Sequence, residues 1–131
     1  MSSQVSSAPS KRLLWAGRVV SAVPVLMLLI SAAMKFTRSP EVAKQFVDHL
    51  GYREGALLGI GVLELVSVIL YVVPQTSVLG AILLTGYLGG AVATHVRVGD
   101  AFVIPVALGV LVWLGLYLRD VRIRALLPLR K

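Results

Sequence analysis

Four apolar runs divide the chain, at residues 13–34, 55–73, 77–96 and 102–118. Each is close to the ~20 residues that cross ~30 Å of hydrocarbon at ~1.5 Å per residue. Pro74-Gln75-Thr76 alone separates the second run from the third, and residues 97–101 separate the third from the fourth. Consecutive runs must therefore fold back on one another. None alternates with a barrel strand's period of two, and open sheet edges cannot face lipid, so the runs predict helices. The expected fold is an all-α membrane protein, a four-transmembrane-helix antiparallel bundle over residues 11–122. A mobile tail is expected at 1–10 and a basic tail at 123–131.

The long connection, residues 35–54, carries helix signals of its own. Ser39 can cap, Pro40 suits the first helical position, and Glu41 favours the positive end of the helix dipole. Val42, Phe46, Val47 and Leu50 fall on one face, and Gly51 is a natural stop. A short amphipathic helix is expected over 40–50. It would lie at the membrane surface or form a lid on the bundle.

Composition agrees with a bilayer as solvent: 57% of the residues are hydrophobic and 15% charged, where a soluble domain carries about a quarter charged. With no cysteine, disulfides, thiolate metal sites and thioether-linked haem are excluded. The net charge of +7 does not point to nucleic acid, because the basic residues flank apolar runs where anionic lipid and topology explain them. Lys11, Arg12, Arg119, Arg122, Arg124, Arg130 and Lys131 gather on one side, against Lys35, Arg38, Lys44, Arg53 and Arg97 on the other. The dense C-terminal cluster predicts an inner-membrane protein with both termini cytoplasmic. Lys11-Arg12, the first run and Ser31-Ala32-Ala33 also imitate a cleaved signal peptide. Arg18 interrupts that run, which is long for a signal.

Within 55–73 the one charge is Glu64. A carboxyl group at that depth is costly and marks a candidate functional site. Counting ~1.5 Å per residue from the cytoplasmic edge places Glu64 about 13 Å deep, Arg18 about 9 Å and Tyr87 about 15 Å. Arg18 is thus the expected partner of Glu64, and Arg18, Glu64 and Tyr87 form a candidate intramembrane polar pocket. Lys35, His95, Arg97 and Asp100 belong near the opposite face, as the candidate outer mouth. With only His49 and His95 present, a zinc or bis-histidine haem site is not expected. Gly55–Gly59 and Gly86–Gly90 have GxxxG spacing, which predicts close helix approach. Pro24 and Pro105 are expected to loosen backbone bonding in their helices. Trp15, Tyr117 and Trp113 are expected as interfacial anchors.

Several stretches together resemble the DoxX-like family of small bacterial membrane proteins. They are Ser31-Ala-Ala-Met-Lys35-Phe, Pro40-Glu-Val through Phe46 to Leu50-Gly51-Tyr52, Gly59-Ile-Gly-Val-Leu-Glu64-Leu, and Gly86-Tyr-Leu-Gly-Gly-Ala-Val-Ala-Thr-His95-Val-Arg97. The resemblance covers about residues 14–118. It implies four transmembrane helices, an early-helix arginine matched by Arg18, a lysine after the first helix at Lys35, a second-helix carboxylate at Glu64 and a His-x-Arg ending the third at His95 and Arg97, with Ser31 standing where the family usually has glycine. Some relatives look like membrane subunits of sulfur-compound or quinone-linked oxidoreductases, or of oxidative-stress complexes.

The leading expectation is an accessory or quinone-facing subunit of a membrane redox system, without a catalytic residue of its own. No flavin, haem or iron–sulfur motif is present, so an electron carrier would come from a partner subunit or a diffusible quinone. A small-molecule or proton transporter acting as a homo-oligomer, and an assembly factor without chemistry, are the alternatives.

Overall fold

The computed structural model describes residues 10–37, 40–53 and 55–127. The expectations for the tail at 1–9, for Arg38 and the Ser39 cap, and for the basic tail at 128–131 lie outside the described residues. The described chain is helical, without a strand. Helix α1 spans Lys11–Thr37, α2 Pro40–Ala43, α3 Ala56–Val72, α4 Ser77–Arg97, α5 Val103–Arg119 and α6 Val121–Leu126. Residues Lys44–His49 continue α2 as a π-helical turn, and Pro74–Thr76 form a 3₁₀ turn.

The apolar runs set these helices, while polar residues set their ends. Ser10 starts α1 two residues before the apolar run, its Oγ accepting from the Leu13 N–H at 3.2 Å, which satisfies one of the free donors of the first turn. Pro74 cannot continue α3, and Ser77 then donates to the Tyr71 and Val73 carbonyls at 2.9 and 3.0 Å. Gly51 and Gly99 adopt φ of +80° and +78°, where a side chain would be strained. Asp120 caps α6 by accepting from the Arg122 N–H at 2.9 Å. Hydrogen bonding from the Arg122 side chain holds the Asp120 carboxyl below the usual carboxylate range. Pro105 sits in the first turn of α5, where no intrahelical bond needs its missing N–H, so it does not loosen that helix.

Helix α1 packs against α3 and α5, and α4 packs against the same two. Ser21 meets Tyr71 of α3 and Gly115 of α5, while Lys35 meets Gly61 of α3, so α1 runs antiparallel to both. The core is Leu28, Val68, Tyr71, Ala81, Leu84, Leu88, Leu108, Val112 and Leu116, with Ile123 of α6 closing one end. The outward faces are also apolar, with Val19, Ile30, Val62, Ile69, Ile82, Val103 and Val110 exposed. Two of the helical stretches, Lys11–Thr37 and Pro74–Arg97, are long and apolar enough to cross a membrane; α3 and α5 are shorter apolar helices.

Close approach occurs at glycines outside the two GxxxG pairs. A Cβ on Gly80 would meet the backbone of Tyr71, and one on Gly115 would meet Ser21. At Gly55, Gly59, Gly86 and Gly90 an added Cβ meets nothing within 4 Å. Spacing places two glycines on one face but does not say what that face meets.

The end of the bundle nearest Gly80 is tied by Tyr71. Its hydroxyl donates to the Val112 carbonyl at 2.6 Å and lies 3.0 Å from Ser21 Oγ, joining α3, α5 and α1. The first-loop segment packs as a lid over the other end, with Val42 and Leu50 buried, Phe46 and Val47 half-buried, and Glu41, Lys44, Asp48 and His49 exposed. Its apolar face is the one expected, and it turns inward.

Candidate functional site

Glu64 lies in the middle of α3 and is 0% exposed. Its partner is Lys35, itself 2% exposed, with Nζ 2.9 Å from Oε1. Ser31, one turn before Lys35 on α1, accepts from Nζ at 2.6 Å and donates to Glu64 Oε1 at 3.3 Å. Three polar groups thus share their hydrogen bonds in an apolar interior, where each would be costly alone. The ammonium also faces the Phe46 and Tyr87 rings, at 4.9 and 6.0 Å from their centroids. Glu64 Oε2 is buried and has no hydrogen-bond partner among the described residues. The Tyr87 hydroxyl interacts with Glu64 and Ser31 without completing a bond to that oxygen.

The pair with Arg18 does not form. Ser21 sits level with Tyr71, so Arg18 lies about a turn beyond it in one direction. Glu64 lies seven residues from Tyr71 in the other, an axial separation of about 15 Å. Counting depth from assumed edges misplaced the register, because α1 projects past the end of α3, where Ser21 is level with Tyr71. Arg18 lines a separate pocket at that far end, and its guanidinium stacks 5.0 Å from the Trp15 ring.

The Lys35–Glu64 pair borders a cavity of about 520 Å³. Ser31, Tyr87, Tyr52, Thr94 and His95 supply its other polar side chains. Met27, Leu63, Ile104 and Leu108 are among its apolar walls, and Gly86 and Gly90 leave it room. His95 Nδ1 donates to the Ala91 carbonyl at 2.7 Å, since a carbonyl can only accept, which leaves Nε2 available. The Tyr52 hydroxyl and Thr94 Oγ1 are 2.7 Å apart. Tyr87 and His95 are two turns apart on α4, so the polar ends of the cavity are separated by about 12 Å of axial rise.

Of the residues expected at the outer mouth, Lys35 and His95 line this cavity. Arg97 and Asp100 instead fasten the lid. Arg97 Nη2 donates to the Leu50 carbonyl at 2.7 Å, and Asp100 Oδ2 lies 2.6 Å from His49 Nε2. We expect Arg97→Gln to speed amide hydrogen exchange over residues 44–52 by about 10- to 100-fold, because a charge-assisted bond contributes about 1.5–3 kcal/mol. Unchanged exchange there would show that the lid is held by its apolar face alone. Ser31, Tyr52, Phe46 and Thr94 also line the cavity, though none was expected as a site residue. Only Ser31 carried a signal, its position four residues before Lys35 on a helix.

Residues 19–115 match the sequence profile of the DoxX-like family. The chain belongs to the DoxX-like family. No curated protein and no solved structure matches it. Membership, together with the apolar helices, makes this a membrane protein. Every cavity residue named above falls within the DoxX-like stretch, whereas Arg18 lies one residue before it.

Proposed function

We propose that this DoxX-like protein spans the inner membrane four times, through α1, α3, α4 and α5, with both termini cytoplasmic. We further propose that the Lys35–Glu64 cavity holds a quinone. Helices α3 and α5 have 17 residues each, within the range that spans a bilayer. Their exposed apolar faces suit lipid, and their 3₁₀ and loop connections lengthen them. Lys11, Arg12, Arg122 and Arg124 share one end of the bundle, as cytoplasmic orientation requires.

The observation that carries the quinone reading is the unpartnered Glu64 Oε2 at the wall of a largely apolar cavity. A volume of about 520 Å³ lies within the usual range of ligand sites. A reduced quinone offers an O–H to an unpaired carboxylate oxygen, and its oxidised form offers carbonyls to the Lys35 ammonium and the tyrosine hydroxyls. When bound, the quinone would supply two-electron, two-proton redox chemistry. The chain's own residues would bind the head, fix its orientation and exclude water. Such a protein serves as a quinone-facing subunit, with electrons delivered by a redox partner subunit.

The test is purification of the full-length protein in mild detergent, with mass spectrometry of the extracted small molecules. Quinone is expected at near-stoichiometric amounts. Gly90→Leu should reduce it about tenfold or more, while leaving stability unchanged or raised, since that position has open space and leucine favours helix. Wild-type protein free of quinone would refute the reading, and a polar solute in its place would assign the cavity to transport.

A further inference from the structure

A second pocket, of about 460 Å³, lies at the end of the bundle remote from the lid, between the start of α1, the α3–α4 turn and the α5–α6 junction. Arg18, Arg119 and Arg122 line it with a single carboxylate, Asp120. That carboxylate is already engaged, because Arg122 reaches it through Nε at 3.1 Å and Nη2 at 2.9 Å. Arg18 and Arg119 make no ion pair among the described residues. Arg119 stands over the Tyr71 ring at 4.7 Å and touches the Tyr71 carbonyl only at 3.5 Å. Its Nε is buried with no hydrogen-bond partner among the described residues.

A guanidinium N–H withdrawn from water and left without an acceptor is costly. Neighbouring cations in one pocket repel unless an anion joins them. Both requirements are met by a tetrahedral oxyanion, whose several oxygens fit the donor fork of arginine. We infer that this pocket binds a phosphate group, with Arg18 and Arg119 as its principal donors. The lipid source of that phosphate is an anionic phospholipid headgroup, which lies at the level of the helix ends if the helices span the membrane. The alternative source is a free phosphate from the aqueous side. The site does not depend on what the Lys35–Glu64 cavity holds.

Native mass spectrometry of the full chain in detergent, titrated with phosphatidylglycerol or phosphatidylcholine, tests this directly. One phosphatidylglycerol should bind at least tenfold more tightly than phosphatidylcholine, whose phosphate is the same but whose choline cation is repelled by the three arginines. Arg18→Gln, and Arg119→Lys, which keeps charge but loses the fork, should each weaken it about tenfold. Lys11→Gln/Arg12→Gln, at the same end but outside the pocket, should have little effect. Displacement of the lipid by millimolar inorganic phosphate, lost in the same two variants, would assign the free ion as the ligand. Equal binding of the two lipids without a phosphate effect would overturn the inference. So would an equal loss in the Lys11/Arg12 variant and in Arg18→Gln, which remains informative should Arg119→Lys fail to fold.

Discussion

Lys35→Met should destabilise the protein by about 3–5 kcal/mol, and adding Glu64→Leu should restore most of that loss. Both side chains are withdrawn from solvent, Lys35 at 2% and Glu64 at 0% exposure, and one oxygen of Glu64 receives both the ammonium and the Ser31 hydroxyl. Removing either charge strands the other in an apolar interior, and that stranding accounts for the size of the effect. Removing both replaces a costly pair by apolar contacts of similar volume, which is near neutral in other buried pairs. Glu64→Gln should fall between these limits, because it keeps hydrogen bonds to Ser31 but leaves the ammonium without a counter-charge. Unfolding titrations in mixed micelles, followed by circular dichroism, measure wild type, Lys35→Met, Glu64→Leu, the double variant and Glu64→Gln. Losses that simply add in the double variant would mean that the two residues are not coupled.

Gly80→Ala comes next, with an expected loss of about 3 kcal/mol, at the upper end for overpacking. The added methyl would strike the Tyr71 backbone, which has no rotamer to change. Nor can α3 and α4 separate freely, because only Pro74–Thr76 connects them and Ser77 binds the last carbonyls of α3. Gly59→Ala is the matched control. It has open space and should gain up to about 1 kcal/mol from helix propensity. The same unfolding titration checks both, and a Gly80→Ala protein as stable as wild type would mean that the helix contact is looser than described.

These two predictions also mark what the sequence made legible. The helices were legible because apolar runs of spanning length, broken by Pro74 and Gly99, leave few alternatives. Glu64 was legible as a buried polar group in need of a partner because a lone carboxylate in such a run is conspicuous. Its partner was not, since choosing between Arg18 and Lys35 requires the register of α1 against α3. That register is set by Tyr71, Ser21 and the glycines at 80 and 115, through contacts with no periodic signature. The GxxxG pairs misled for a related reason: Gly86 and Gly90 do line one face, but the face borders a cavity. Arg97 and Asp100 were placed at the right end of the bundle, yet their lid-fastening role depends on how the first loop folds back.

The Tyr71 hydroxyl has a mechanical consequence. It rivets three helices at one end, where Gly80 and Gly115 leave no slack, while the opposite end is closed by a short lid on a few polar latches. In such an assembly the freedom to part is expected at the lid end, around Lys35 and Glu64, while the riveted end keeps its shape. A molecule entering the cavity is therefore expected to pass the lid, and a variant that loosens the lid should leave the arginine end unchanged.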